Sequence, residues 1–456
     1  MYRQIVEEEP LAFAARGVPP WSDVEKTLGI ALSKDPSNRF PSVEAFAGQL
    51  AGSDLPVPAA GLATTARVPG RGSTPGLIDS LLPRYDLDGP FFALDALPAP
   101  KASVGYGRAG IAHALYRVAC ARDDPHLLAL ADAWATSAIR RTEDPGAFLN
   151  AEIGVTSDIV DRLSALFGGP GLHVVRGIVG DAMGDLSTYA EAVETFIQLS
   201  QGVSPNLDMT LGTPSTLLGC ALLHRAGAFG DIDLSGLAAF GDQVARAVWA
   251  RLSEYKPAGE AAELLYMGIS HGWAGILYAT LLWCETSRSL PPPGVRDRLG
   301  ELAACGEALG RGTRWPVQRG PGVAREPSGY TPGWCHGSAG YVALWLAAHR
   351  VLGDSYYADL AEQAAWNCWE DADVYPSLCC GLAGRAYSLI SLSNASGEAA
   401  WLRRARELAE RAAAGRPVIP GGLEHSLYKG ELGIGTLLAD LDRPETARFP
   451  FFEVQT

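Results

Sequence analysis

Absences bound this chain before any motif is read. No basic segment followed by an apolar run opens it, and no apolar stretch approaches the roughly 20 residues of a membrane span, so neither export nor a transmembrane helix is expected. Eight cysteines in 456 residues are too few for a disulfide scaffold and fit free or metal-bound thiols in a reducing cytoplasm. Positive charge is also short. The 37 Lys and Arg face 51 Asp and Glu, and the formal net charge of -14 argues against nucleic acid or an anionic membrane as the main partner. With 47% apolar residues, the chain can bury a large core or divide into two domains. Its partners are expected among peptides, small molecules and other proteins.

The first fifty residues differ from the rest. Apolar residues recur at helical spacing over 21–33 and 41–50, separated by Lys34-Asp35-Pro36-Ser37-Asn38-Arg39-Phe40, a turn rich in breaking and capping residues. The run from Ala31 through this turn to Ser42, with Phe46 and Leu50 behind it, resembles the end of the C-lobe of a bacterial Ser/Thr-type protein kinase. The chain has no kinase Gly-rich loop, His-Arg-Asp catalytic loop or Asp-Phe-Gly magnesium motif, so this piece cannot transfer phosphate. It is expected to be a non-catalytic kinase remnant over 1–52, with the catalytic part upstream. Residues 53–76, rich in Gly, Pro, Ala, Ser and Thr, read as a linker.

From 77 to 456 the sequence is a repeat. A Gly turn leading into an Ala- and Leu-rich helix recurs with first glycines at Gly107, Gly168, Gly212, Gly272, Gly337, Gly381 and Gly430. The separations of 61, 44, 60, 65, 44 and 49 residues each leave room for a Gly-initiated helix, a return helix and loops. The helices after the glycines are apolar nearly all round, as in Ile276 to Trp283 and Tyr341 to Ala348, and should be buried on both sides; helices between them, such as Glu398 to Arg411, carry a charged face. An all-α fold follows, an α/α toroid in which seven inner helices are wrapped by an outer ring. The Gly turns then converge at one end, where glycine permits close backbone approach and positive φ.

Four of the turns are preceded by chemically pointed residues. Asp208 stands four before Gly212, His271 directly before Gly272, Cys335 and His336 before Gly337, and Cys379 and Cys380 before Gly381, whereas the other turns carry Tyr106, Phe167 and Lys429. A lone His or Cys usually has a structural role. Equivalent placement on one repeat turns these residues into a cluster. Three thiols on the two Gly-flanked turns Gly333 to Gly340 and Ser377 to Gly384 are soft ligands suited to zinc. A disulfide or chemically idle packing of the vicinal pair is the rival, and a reducing compartment disfavours the disulfide. Cys120, Cys220, Cys284, Cys305 and Cys368 read as core or surface thiols. His336 is either an acid/base beside the metal or a polar cap on its turn; its adjacency to Cys335 favours the cap. The segment carrying Arg311, Arg314, Arg319 and Arg325 either covers the site and holds an acidic peptide or is a solvated loop.

The seven Gly turns, His271-Gly272, Trp334-Cys335-His336-Gly337 and Cys380-Gly381 resemble the lanthionine synthetase C-like family, the zinc cyclases that form thioether rings in lanthipeptides. The likeness covers about residues 80 to 440. With the kinase-like piece in front, the arrangement is similar to class IV lyase-kinase-cyclase synthetases. The resemblance implies that Cys335 and Cys379 are zinc ligands and that Cys380 is the third, where the family usually writes histidine. It also implies that His271 is the active-site histidine and Asp208 its acidic companion. The arginine that some members carry shortly before the first zinc cysteine is absent, leaving Tyr330, Arg319 or Arg325 as candidates to supply its role. The implied reaction is Zn²⁺-activated addition of precursor-peptide cysteines to dehydroalanine or dehydrobutyrine. The implied partners are the dehydrated precursor peptide and upstream lyase and kinase domains of the same synthetase. A zinc-containing peptide-binding scaffold, a toroid glycosidase and a relative that adds glutathione to dehydroamino acids are the rivals; the glycosidase would need paired carboxylates at the Gly turns, which offer thiols and histidine in their place.

Overall fold

The computed structural model describes residues 22–51, 76–202, 204–230, 232–323, 329–415 and 422–454. Two compact units divide between Thr74 and Pro75. Apart from Gly76, the segment read as a linker lies outside the described residues, and so does Arg325.

In the first unit, helices Ser22–Ala31 and Val43–Ala51 flank the turn that the sequence places there. Asp35 Oδ1 accepts from the Ser37 N–H at 2.9 Å and the Ser37 hydroxyl at 2.7 Å, and Arg39 Nε donates to the Ser33 carbonyl at 2.8 Å. Phe40 packs on Phe46 with ring centroids 5.6 Å apart, which ties the turn to the second helix.

The second unit is the expected toroid. Its inner helices are Arg108–Arg122, Gly169–Ala182, Pro214–Ala226, Trp273–Ser287, Ser338–Leu352, Leu382–Ser396 and Glu431–Asp440. Each starts within two residues of one of the seven glycines. Neighbouring inner helices pack in sequence order, and the last returns to the first, closing the ring. Every residue from Trp273 to Cys284 and from Ser338 to Ala348 is buried, as all-round apolarity requires. Outer helices such as Ala399–Ala414 bury only one stripe, there Trp401, Ala405, Leu408, Ala409 and Ala412. Helix Leu77–Tyr85, which precedes the first Gly turn, packs on the last inner helix and supplies the seventh outer position. A buried ion pair fastens the closure. Arg117 Nη2 meets Asp440 Oδ2 at 2.6 Å while Tyr387 donates to the same oxygen at 2.7 Å.

The turn glycines correct one expectation. Gly107, Gly272, Gly337 and Gly381 have φ of -113°, -155°, -126° and -128°, extended backbone open to any residue. Crowding is what requires glycine: a Cβ on any of these four would overlap the backbone of the residue six places earlier. The rule repeats three residues on, where Gly110, Gly171, Gly275, Gly340, Gly384 and Gly433 lie against the carbonyl six back. In the third turn that place belongs to Ser215, whose Oγ accepts from the Ala165 N–H at 2.8 Å. A second difference is a short antiparallel hairpin, Glu307–Leu309 with Gly312–Arg314, inside the arginine-rich segment. Its two-residue turn is allowed by Gly310 at φ +60°.

Gly171→Ala is expected to destabilise the toroid by about 1–3 kcal/mol, because its Cβ has no space beside the Ala165 carbonyl. Gly300→Ala, on the exposed interior of helix Val295–Ala303 with nothing near its Cβ, should stabilise by about 0.5–1 kcal/mol. Urea unfolding of the two variants checks the contrast; equal effects would contradict it.

Candidate metal centre

The turns are joined edge to edge by main-chain hydrogen bonds at one repeated position, two residues before the first glycine. Thr210 N–H donates to the Ser270 carbonyl at 3.2 Å, Ser270 to Cys335 at 2.9 Å, Cys335 to Cys379 at 3.1 Å and Cys379 to Tyr428 at 2.9 Å; on the other side of the ring Gly105 donates to Leu166 at 3.0 Å. Cys335 and Cys379 are therefore equivalent residues of adjacent turns, locked by their own backbones. Cys380 follows directly and completes a group of three.

The three sulfurs lie within 4.8 Å of one another, with Cys380 Sγ 3.5 Å from both Cys335 Sγ and Cys379 Sγ. Tetrahedral zinc with Zn–S distances of about 2.3 Å places its sulfurs about 3.8 Å apart, so the donor set fits that ion in type and spacing. All eight cysteines are free thiols, and Cys220, Cys284, Cys305 and Cys368 are buried away from this group in the core, as expected. Hydrogen bonds from the Cys335 and Cys379 thiols, reinforced by Lys429, hold the Cys380 thiol far below the usual thiol range. Lys429 Nζ lies 2.9 Å from Cys380 Sγ. Tyr106, on the first turn, is half-buried, and desolvation of its hydroxyl, followed by the Cys379 charge, pushes its phenol up to about 12.

His271 and Asp208 meet as the sequence places them. His271 Nδ1 is 2.8 Å from Asp208 Oδ2 and 3.2 Å from Thr210 Oγ1. Asp208 Oδ1 accepts from the Thr210 and Leu211 N–H groups, each at 2.8 Å, so its carboxylate is fixed by its own turn. An ionised carboxylate only accepts, which assigns the ring proton to Nδ1 and leaves Nε2 as the exchanging nitrogen. The rings of His336, His271 and Tyr266 form a tilted triangle, with the His336 centroid 5.1 Å from His271 and 5.4 Å from Tyr266, and the buried His336 Nδ1 has no hydrogen-bond partner among the described residues. Burial, then His271, lowers its pKa to about 4.

The other candidates have partners elsewhere. Arg319 Nη1 donates to the Cys305 carbonyl at 3.4 Å, and the Tyr330 ring lies under the Arg314 guanidinium at 3.9 Å. Arg311 pairs with Glu370 and covers Trp366 at 3.6 Å. Sequence reasoning gave no role to Lys429 or Thr210. The signal for Lys429 was available, since it stands directly before Gly430 as Cys380 stands before Gly381.

A sequence model of the family described as "Lanthionine synthetase C-like protein" matches residues 100–454. The chain belongs to the lanthionine synthetase C-like family. Its fold is similar to that of nisin cyclase, with a TM-score of 0.57 at 15% identity, covering 77% of this chain and 91% of that one. It is also 28% identical over 200 residues to a Danio rerio protein named Glutathione S-transferase LANCL1, an alignment spanning 41% of this chain and 46% of that relative. The chain thus spans about half the length of this curated relative. Among the described residues of this lanthionine synthetase C-like chain, the only cluster with metal-ligating geometry is the cysteine triad.

Cys335→Ala is expected to weaken zinc binding severely, whereas Cys120→Ser, at an exposed thiol, should leave one zinc per chain. Metal content after dialysis against a chelator buffer distinguishes them; zinc retained by Cys335→Ala would contradict the ligand set.

Proposed function

We propose that the chain is a lanthipeptide cyclase. It joins cysteine thiols of a precursor peptide to dehydroalanine or dehydrobutyrine, forming lanthionine and methyllanthionine rings. The observation that carries this reading is the cysteine triad converging with the His271–Asp208 pair on the Gly turns of a lanthionine synthetase C-like toroid. Zinc held by Cys335, Cys379 and Cys380 would supply Lewis acidity, favouring the thiolate of an incoming cysteine, whose free pKa of about 8.5 leaves it mostly protonated near neutrality. The triad would supply three donors to zinc, the number that catalytic zinc sites draw from the protein.

The chain's own residues handle the proton. Sulfur addition to the β-carbon forms a C–S bond and moves an electron pair toward the α-carbon, giving an enolate that must be protonated there. His271, oriented through Nδ1 by Asp208 and Thr210, presents Nε2 as the general acid. Asp208, accepting from Nδ1, fixes the tautomer. The half-buried ring of His336 and the more exposed ring of Tyr266, 5.4 Å apart between centroids, flank that side of the site. Residues 1–52 belong, in this reading, to a kinase-like domain of a class IV synthetase. The domain boundaries at 52 and 76, a cytoplasmic location and partner lyase and kinase domains are parts of the same proposal.

A second reading takes glutathione as the thiol, favoured by the name of the Danio rerio relative. Incubation with a dehydrated precursor, with and without a chelator, separates the two. Cyclisation consumes precursor thiols with no mass change, and glutathione transfer adds the mass of glutathione. His271→Ala should slow ring closure about 10²–10⁴-fold while retaining zinc. No zinc-dependent thiol loss across several precursors would contradict the cyclase reading.

A further inference from the structure

The sixth and seventh Gly turns place an ammonium against the third sulfur. Lys429 occupies in the last turn the place that Cys380, His336 and His271 occupy in theirs, directly before the first glycine. The Cys379 N–H to Tyr428 carbonyl bond, at 2.9 Å, fixes the two turns in register, so the Lys429 side chain leaves the backbone beside Cys380. Nζ ends 2.9 Å from Cys380 Sγ, in hydrogen-bond contact with it. Lys429 is half-buried and donates to this sulfur.

Charge counting gives this contact a purpose. Three thiolates on a dication leave one negative charge, and a substrate thiolate in the fourth position raises it to two. A buried site of that charge needs compensation. Hydrogen bonds to metal-bound groups set their orientation and basicity, and an ammonium in that place adds a full opposite charge. We propose that Lys429 is a positioning residue of the metal centre, its ammonium held against Cys380 to orient that ligand and to offset the excess negative charge of an all-cysteine ligand set. The inference rests on the zinc reading of the triad and names the residue that makes three thiolates tolerable there. It predicts that the need for Lys429 disappears once the third ligand is neutral.

The test is zinc affinity, measured by competition with a chromophoric chelator at fixed neutral pH, and requires no turnover. Lys429→Met should weaken zinc binding about 10- to 100-fold, the range for losing an outer partner of a metal ligand. Lys429→Arg, which keeps the charge, should stay close to the unaltered chain. In a Cys380→His background, Lys429→Met should have no further effect. Thermal melting of the metal-free variants reports any general loss of folding, which Arg rescue would not repair in a charge-specific way. Unaltered affinity in Lys429→Met, or an equal loss in the Cys380→His background, would overturn the inference while leaving the zinc reading intact. A chain that binds no zinc at all would overturn both.

Discussion

The structure depends on the close approach of each Gly turn to the backbone six residues before it. That approach lets each turn fold flat against the start of its inner helix and present its main chain sideways to the next turn. The sideways bonds, from Thr210 through Ser270, Cys335 and Cys379 to Tyr428, convert five separate loops into one belt. Side chains at and just after the bonded position are thereby held on rigid backbone at the end of a largely buried helix ring. A metal centre assembled from two turns needs this, because its ligands are 44 residues apart in sequence, from Cys335 to Cys379, and no local structure could align them.

The belt also explains the division of chemical labour. The bonded position supplies Cys335 and Cys379, whose backbones are paired with each other. The position after it supplies Cys380, His336, His271 and Lys429, which differ in chemistry but share an origin. Asp208 sits further back on its own turn and is clamped by two N–H groups of that turn, so it can orient His271 without being free to approach the sulfurs itself. In the proposed function, one repeated scaffold would separate metal binding, proton handling and charge balance by repeat number.

Much of this was legible in the sequence. The seven glycines recur at hairpin-sized intervals and the inner helices are apolar all round, which fixed the toroid and the convergence of the pointed residues. The reason for glycine was not legible as it stood. Extended backbone and positive φ leave the same letter in a sequence, and only the overlap of an added Cβ with the carbonyl six back separates them. The seventh outer helix, Leu77–Tyr85, was also hidden, because it precedes the repeat it completes. The hairpin at Glu307–Arg314 escaped because its strands are three residues each, too short for period-two alternation to register. Lys429 was visible at the right position, but a lysine before a glycine carries no chemical signal until a thiolate is found beside it.

The central claim is that three cysteines hold zinc and leave one position for a substrate thiol. X-ray absorption at the zinc edge measures it directly. The account predicts three sulfur neighbours at about 2.3 Å and one lighter atom, changing to four sulfurs when a dehydrated precursor bearing a free cysteine is added. A shell that already holds four protein ligands, or one that does not change with the precursor, would contradict it.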